Sequence, residues 1–155
     1  MPAIRPRHDF TALEIDALED RLYEHNSAAT GYVDGRGLGF EIVGEDGAQV
    51  GAIAGATWGG VAEIKQLWVD PAHRGHGHGL ALLDAAMAEA KARGCRQMFL
   101  MTYDFQAPWL YERRGFARVI EIPDWPLVEP GRLEVVAGDP DPRHAPPPRF
   151  VDHGV

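Results

Sequence analysis

Between residues 9 and 26 the apolar positions Phe10, Leu13, Ala17, Leu18 and Leu22 recur at helical spacing, while Glu14, Asp16, Glu19, Asp20 and Glu24 fill the other face. That spacing predicts an amphipathic first helix. The Gly-, Ser- and Ala-rich stretch 26–39 predicts a connecting loop, and Glu45-Asp46-Gly47 marks a turn that pairs 38–44 with 48–57 as a hairpin. Trp58-Gly59-Gly60 marks the next turn, and 61–69 the next strand. Over 80–93, Leu83, Met87 and Ala90 share one helical face while Asp84, Glu89 and Lys91 share the other, and Gly94 supplies a left-handed stop. Met98, Phe99, Leu100 and Met101 make the strand at 96–103 nearly continuous in apolar character, which predicts burial on both faces. A short helix starting at Pro108 and stopping at Gly115 follows, then strands at 116–122 and 132–136. From Gly138 the Asp-Pro-Asp-Pro and Ala-Pro-Pro-Pro runs cannot pair in a sheet, so a loose tail over 139–155 is predicted after one domain over 1–138.

At 155 residues one core suffices, and Cys95, the single cysteine, excludes an intrachain disulfide or a thiol metal cluster. No apolar h-region follows the Pro- and Arg-containing residues 1–8, and no apolar run approaches membrane-spanning length. A cytoplasmic protein with no membrane partner is expected. The formal charge of -8 argues against nucleic acid as a partner, since phosphate binding needs a concentrated basic face. A cationic acceptor fits that charge, as does a simple need for solubility.

The chemistry concentrates in Arg74-Gly75-His76-Gly77-His78-Gly79, between a strand and a helix. Three glycines remove the side chains that would keep a ligand from the backbone, and the free amides with the helix N-terminus suit a pyrophosphate. The P-loop Lys-Ser/Thr is missing, because Leu80 and Ala81 follow Gly79, and the glycine spacing does not match the dinucleotide fingerprint. His73, His76 and His78 read as solvent-facing side chains around that loop, so no metal is expected. Cys95 lacks a neighbouring histidine and reads as a packing residue.

Arg74, Gly77 and Gly79 match the Arg/Gln-x-x-Gly-x-Gly/Ala signature of the GNAT acetyltransferases, which the chain resembles over roughly residues 9 to 136. Leu67-Trp68-Val69-Asp70-Pro71 resembles that superfamily's fourth strand, and Tyr111-Glu112-Arg113-Arg114-Gly115-Phe116 its Tyr-Glu-x-x-Gly-Phe motif. Phe105-Gln106-Ala107-Pro108 with Pro123-Asp124-Trp125-Pro126 resembles a bacterial subgroup of unassigned acceptor. The resemblance implies an α/β (α+β) GNAT fold: a mixed, mostly antiparallel sheet of about six to seven strands with helices on both faces. It also implies an acetyl-CoA site where the parallel strands 61–69 and 96–103 splay apart. Leu67, Trp68 and Val69 would line the pantetheine arm, with backbone groups of Leu67 and Val69 bonding it. The amides of Gly75, His76, Gly77, His78, Gly79 and Leu80, behind Arg74, would hold the pyrophosphate. Asp104 stands where many relatives carry a cofactor-contacting asparagine, and Trp109, Arg113 and Arg114 would flank the adenosine end.

The implied reaction is N-acetylation of a small-molecule or peptide amine by direct attack in a ternary complex. A lysine-like amine is protonated at neutral pH, and removing the proton costs about 4 kcal/mol. Glu63 stands where several members carry the glutamate that deprotonates the amine, and Tyr111 where the family's tyrosine meets the departing sulfur. The acceptor would sit among the first helix, the 26–39 loop and the 123–131 loop, with Trp58, Trp125 and acidic residues as an aromatic, negative rim. The resemblance admits a homodimer. The competing reading from another class is a non-catalytic module that binds CoA or acyl-CoA.

Overall fold

The computed structural model describes residues 1–104, 106–125, 132–141 and 143. It contains two compact units, 1–33 and 34–155. In the first, α1 (Ala12–Thr30) starts at a capping box: the Thr11 hydroxyl accepts from the Glu14 amide, and the Glu14 carboxylate accepts from the Thr11 amide at 2.9 Å. Gly31, at φ 80, ends it. The helix therefore starts and stops later than the 9–26 span that apolar spacing predicts. Capping chemistry, rather than periodicity, fixes both ends.

The second unit holds six described strands, β1 (Arg36–Val43), β2 (Gln49–Trp58), β3 (Val61–Val69), β4 (Gln97–Tyr103), β5 (Ala117–Pro123) and β6 (Arg132–Gly138), in the order β1-β2-β3-β4-β6-β5. All neighbours are antiparallel except β3 and β4. The crossover between that parallel pair is α2 (His78–Ala92), whose Leu82, Leu83, Ala86, Met87 and Ala90 are buried in one cluster with Ile53, Ile64, Met98 and Leu100 of the sheet. Leu110 and Tyr111 of α3 (Pro108–Glu112) and Phe116 join the same cluster. Cys95 is buried in it, and burial pushes its thiol pKa up, which suits packing and not nucleophilic attack. Among the described residues no helix is long and apolar enough to cross a membrane.

One local device opens this sheet. The β2–β3 register runs from Trp58↔Val61 to Gly55↔Ile64, then resumes at Ala54↔Gln66, which leaves Lys65 as an extra residue on β3. Gly55 faces the bulge, and a Cβ there would overlap the Glu63 carbonyl oxygen. Only glycine fits. Pairing of β3 with β4 starts at Val61↔Gln97 and ends at Ile64↔Leu100, where the bulge begins, so the two strands diverge beyond it.

One expectation needs correction. Burial of the fourth strand on both faces fails, because Met98, Leu100 and Thr102 are buried whereas Met101 is 61% exposed on the other face. At the end of the predicted domain Gly138 pairs with Met98, and beyond it Asp141 is buried, with Lys91 Nζ at 3.5 Å and Arg143 Nη2 at 2.7 Å. Hydrogen bonds from Arg143 hold the Asp141 carboxyl well below its ordinary range. Residues 144–155 of the predicted tail lie outside the described residues.

Candidate active site

The divergence of β3 and β4 leaves backbone groups that a continuous sheet would have paired. Asp70 donates its amide to Val50 on β2, so by alternation the amides of Val69 and Leu67 point into the gap. On the other wall, Asp104 donates its amide to Arg132 on the β6 side, so the Tyr103 amide also faces the gap. There the Gln106 side-chain oxygen accepts from it at 3.1 Å, in the place of the lost strand partner. The gap is thus held open by sequence: a bulge with its glycine on one side and a glutamine substitute on the other.

Its floor leads into the glycine loop. Arg74 donates from Nε to the Val69 carbonyl at 3.0 Å, which ties the loop to the end of β3 and engages one of the groups expected to bond pantetheine. Gly75 and Gly77 lie at φ 79 and φ 81, in the left-handed region that L side chains rarely adopt. Helix α2 begins at His78, two residues before the predicted start, with Gly77 as a cap that has no side chain to bond the first amides. The first intrahelical bond runs from the Ala81 amide to the Gly77 carbonyl at 3.0 Å, so the amides of His78, Gly79 and Leu80 remain available to an anion. Gly79 has a different reason to be glycine. A Cβ there would stand 2.9 Å from Leu110 Cδ1, so the residue admits α3 against α2.

Gap and loop together form a cleft of about 950 Å³. Lys65, His73, Arg74, His78 and Arg113 line it, and no aspartate or glutamate is among its described lining residues. The described lining thus carries basic side chains and no carboxylate, although the whole chain is acidic. Arg113 stacks its guanidinium 5.1 Å from the Trp109 ring centre at the cleft, whereas Arg114 turns away to donate twice to Asp84 and lowers that carboxyl's pKa. The arginine pair is thus divided between cleft and scaffold.

Tyr111 lines the cleft, 9% exposed, with its ring edge-on to Phe116 at 6.1 Å. Burial raises its pKa, so the phenol stays protonated and can donate a hydrogen bond at neutral pH. Leu67, Trp68, Val69, Arg74, Gly75, Gly77, His78, Gly79 and Leu80 also line the cleft. His76 does not; its ring lies 3.2 Å from the His73 carbonyl, and its possible contribution is the main-chain amide alone. Asp104 is not brought to the cleft either. Its carboxylate faces Arg132 at 3.4 Å across the β4–β6 ladder, with Oδ1 buried and without a hydrogen-bond partner among the described residues.

Glu63 is half-buried between Ala56 and Phe99 in the last paired stretch before the gap and is not a lining residue. Cross-strand partners share a face, so Glu63, opposite Ala56, lies on the same sheet face as Trp68, opposite Ala52. Leu67 and Val69 pack on the core from the other face. Trp58 belongs to a separate small cavity with Arg93 and Cys95, so the predicted pairing of Trp58 with Trp125 at one rim is incorrect. Trp125 does reach the cleft, edge-on to Tyr103 at 6.4 Å, after Asp124 at φ 57 turns the chain. Residues 126–131 of the predicted acceptor loop, and Phe105, lie outside the described residues. Sequence reasoning missed Met101, Tyr103 and the bonding role of Gln106. The Tyr at the strand's end was the available signal, since a polar-tipped ring suits a strand that leaves its sheet. Among the described residues no group of three or more His, Cys, Asp or Glu is arranged to hold a metal ion.

Known proteins share this architecture. The Acetyltransferase (GNAT) family model matches residues 5–116. Acetyltransferase Atu2258 of Agrobacterium fabrum is 35% identical over 103 residues, which cover 66% of this chain and 75% of that protein. Blasticidin-S acetyltransferase of Streptomyces morookaense is 41% identical over 86 residues, 54% of this chain and 62% of that protein. A solved structure assigned as an acetyltransferase from Agrobacterium tumefaciens is 29% identical and superposes with a TM-score of 0.76 over 88% of this chain and 98% of that one. An acetyltransferase from Bacillus cereus, at 23% identity, shares the fold with a TM-score of 0.70 over 86% of this chain and 96% of that one. With a splayed parallel pair, a glycine loop at a helix N-terminus and relatives that are acetyltransferases, the chain belongs to the GNAT acetyltransferase family.

Proposed function

We propose that the protein is an acetyl-CoA-dependent N-acetyltransferase in which a primary amine attacks the thioester directly, within a ternary complex. The observation that carries this reading is a protonated, cleft-lining Tyr111 beside a gap whose unpaired backbone leads into an anion-binding loop. The free amides of Leu67 and Val69 suit the amide-bearing pantetheine arm, and the amides of 75–80 suit the pyrophosphate. Trp109 and Arg113 flank the adenosine end. The basic side chains of the cleft lining fit a ligand with several phosphate charges.

In the reaction the amine nitrogen forms a bond to the carbonyl carbon as the carbon–sulfur bond breaks, and that electron pair leaves on sulfur. Glu63 takes the amine's proton through water, from the same sheet face and one step outside the gap. Tyr111 donates a hydrogen bond to the departing thiolate. A phenol near pKa 10 is a weaker acid than a thiol near 8.5, a gap of about 2 kcal/mol, so Tyr111 acts more by hydrogen bonding than by proton transfer. Buried Cys95, with its raised pKa, favours direct transfer over an acyl-enzyme. A lone free cysteine also suits the reducing cytoplasm.

Glu63→Gln tests the base. Activity is expected to fall most at the acid end of the pH-rate profile, where the amine most needs deprotonation, while the acetyl-CoA KM stays near the parent's. A profile of unaltered shape would leave Glu63 a structural carboxylate.

A further inference from the structure

We propose that Gln106 is a positioning residue for Tyr111: standing in for a strand partner at the end of β4, it fixes where α3 begins and hence where the phenol stands beside the gap. The inference rests on the transferase reading and adds a residue to that machinery. Gln106 makes three hydrogen bonds to Thr102 and Tyr103, the last two residues of β4. Its amide donates to the Tyr103 carbonyl at 3.0 Å, and its side-chain oxygen accepts from the Tyr103 amide at 3.1 Å and from the buried Thr102 hydroxyl at 3.2 Å. Both main-chain groups of Tyr103 that face the gap are thereby engaged by one residue.

Helix α3 has little else to set its start. It spans five residues, too few to hold as an isolated helix, and its cap residue Ala107 offers no side chain to the first amides. Leu110, Tyr111 and Phe116 belong to the core cluster, but burial of apolar surface is not directional. The tether is directional. Ala107 alone separates Gln106 from the first residue of α3, and Tyr111 follows within that one turn. A shift of the helix start therefore moves the Tyr111 hydroxyl, and a misplacement of about 1 Å can lower a rate about a hundredfold. Both contacts of the Gln106 side chain are to donors, so a carboxylate at that position accepts them equally well and an alkyl chain accepts neither.

The test combines two readouts. Hydrogen exchange of the ligand-free protein, followed at the Tyr103 amide by NMR, is expected to be roughly tenfold faster in Gln106→Leu and near the parent's in Gln106→Glu. Thiol release from acetyl-CoA is then measured with phenethylamine, spermidine and a lysine-containing peptide, and the acceptor that the parent uses fastest serves for every variant. Gln106→Leu, at an exposed position, should lower kcat roughly ten- to hundredfold with the acetyl-CoA KM within about threefold of the parent's, and Gln106→Glu should recover most of that loss. In a Tyr111→Phe background the leucine change should lower kcat no more than about twofold, because the group it positions is already gone. Gln106→Asn, one methylene short, takes its place in the cycle if Gln106→Leu does not fold. Equal losses in the two backgrounds, parental kcat or unchanged Tyr103 exchange in Gln106→Leu, or Gln106→Glu as slow as Gln106→Leu would overturn the positioning role while transfer itself stands. Release with none of the acceptors in the parent, despite stabilisation by acetyl-CoA, would overturn it together with the transferase reading.

Discussion

Tyr111→Phe is expected to fold normally and to lower kcat by roughly ten- to thousandfold, with little change in acetyl-CoA binding. The ring and its edge contact with Phe116 survive the change, so only the hydroxyl is removed. That hydroxyl belongs to a buried, cleft-lining side chain whose raised pKa keeps it a donor through neutral pH. The loss should shrink with an activated thioester whose thiol is more acidic, because a better leaving group needs less help. Near-parental kcat, measured where chemistry limits turnover, would make Tyr111 a packing residue and water the proton source.

The other large effect is expected at Gly77. Valine there must adopt φ near 81, a conformation that a β-branched residue meets only as an outlier. Either the loop refolds and its amides lose their convergence, or helix α2 starts later. Acetyl-CoA binding should weaken roughly ten- to hundredfold, and thermal stabilisation by the ligand should largely disappear. Gly77→Asn is the matched control, because asparagine tolerates the left-handed region and should retain more of the shift. Gly79→Val is expected to act by another route, through collision with Leu110 of α3, and so to lower stability even without ligand. A full acetyl-CoA shift in a folded Gly77→Val protein would remove the loop from the site.

The sequence made the loop and strand β3 legible because their signals are local: glycines at alternate positions, and a stretch with Val61, Ile64, Leu67 and Val69 bounded by Gly60 and Asp70-Pro71. Helix α1 was legible as a helix, yet its ends depended on Thr11-x-x-Glu14 and Gly31, and apolar spacing carries no information about caps. The gap itself was expected only through resemblance. Lys65 is surplus only relative to β2, so the bulge exists in the pairing of two strands and in no single stretch of sequence. The same holds for Met101, which sits in an apolar run but flanks a strand that departs from it. Asp104 shows the converse: a motif position pointed to the ligand, while Arg132, 28 residues later, turns its carboxylate to the β4–β6 ladder.

The most direct measurement is the initial rate of thiol release from acetyl-CoA across small amines and peptide amines, with the acetylated product identified by mass. The expected result is amine-dependent release, one thiol per N-acetyl product, saturable in both substrates, with intersecting double-reciprocal lines. Stabilisation by acetyl-CoA with no amine raising release above background would contradict transfer and leave a CoA-binding module.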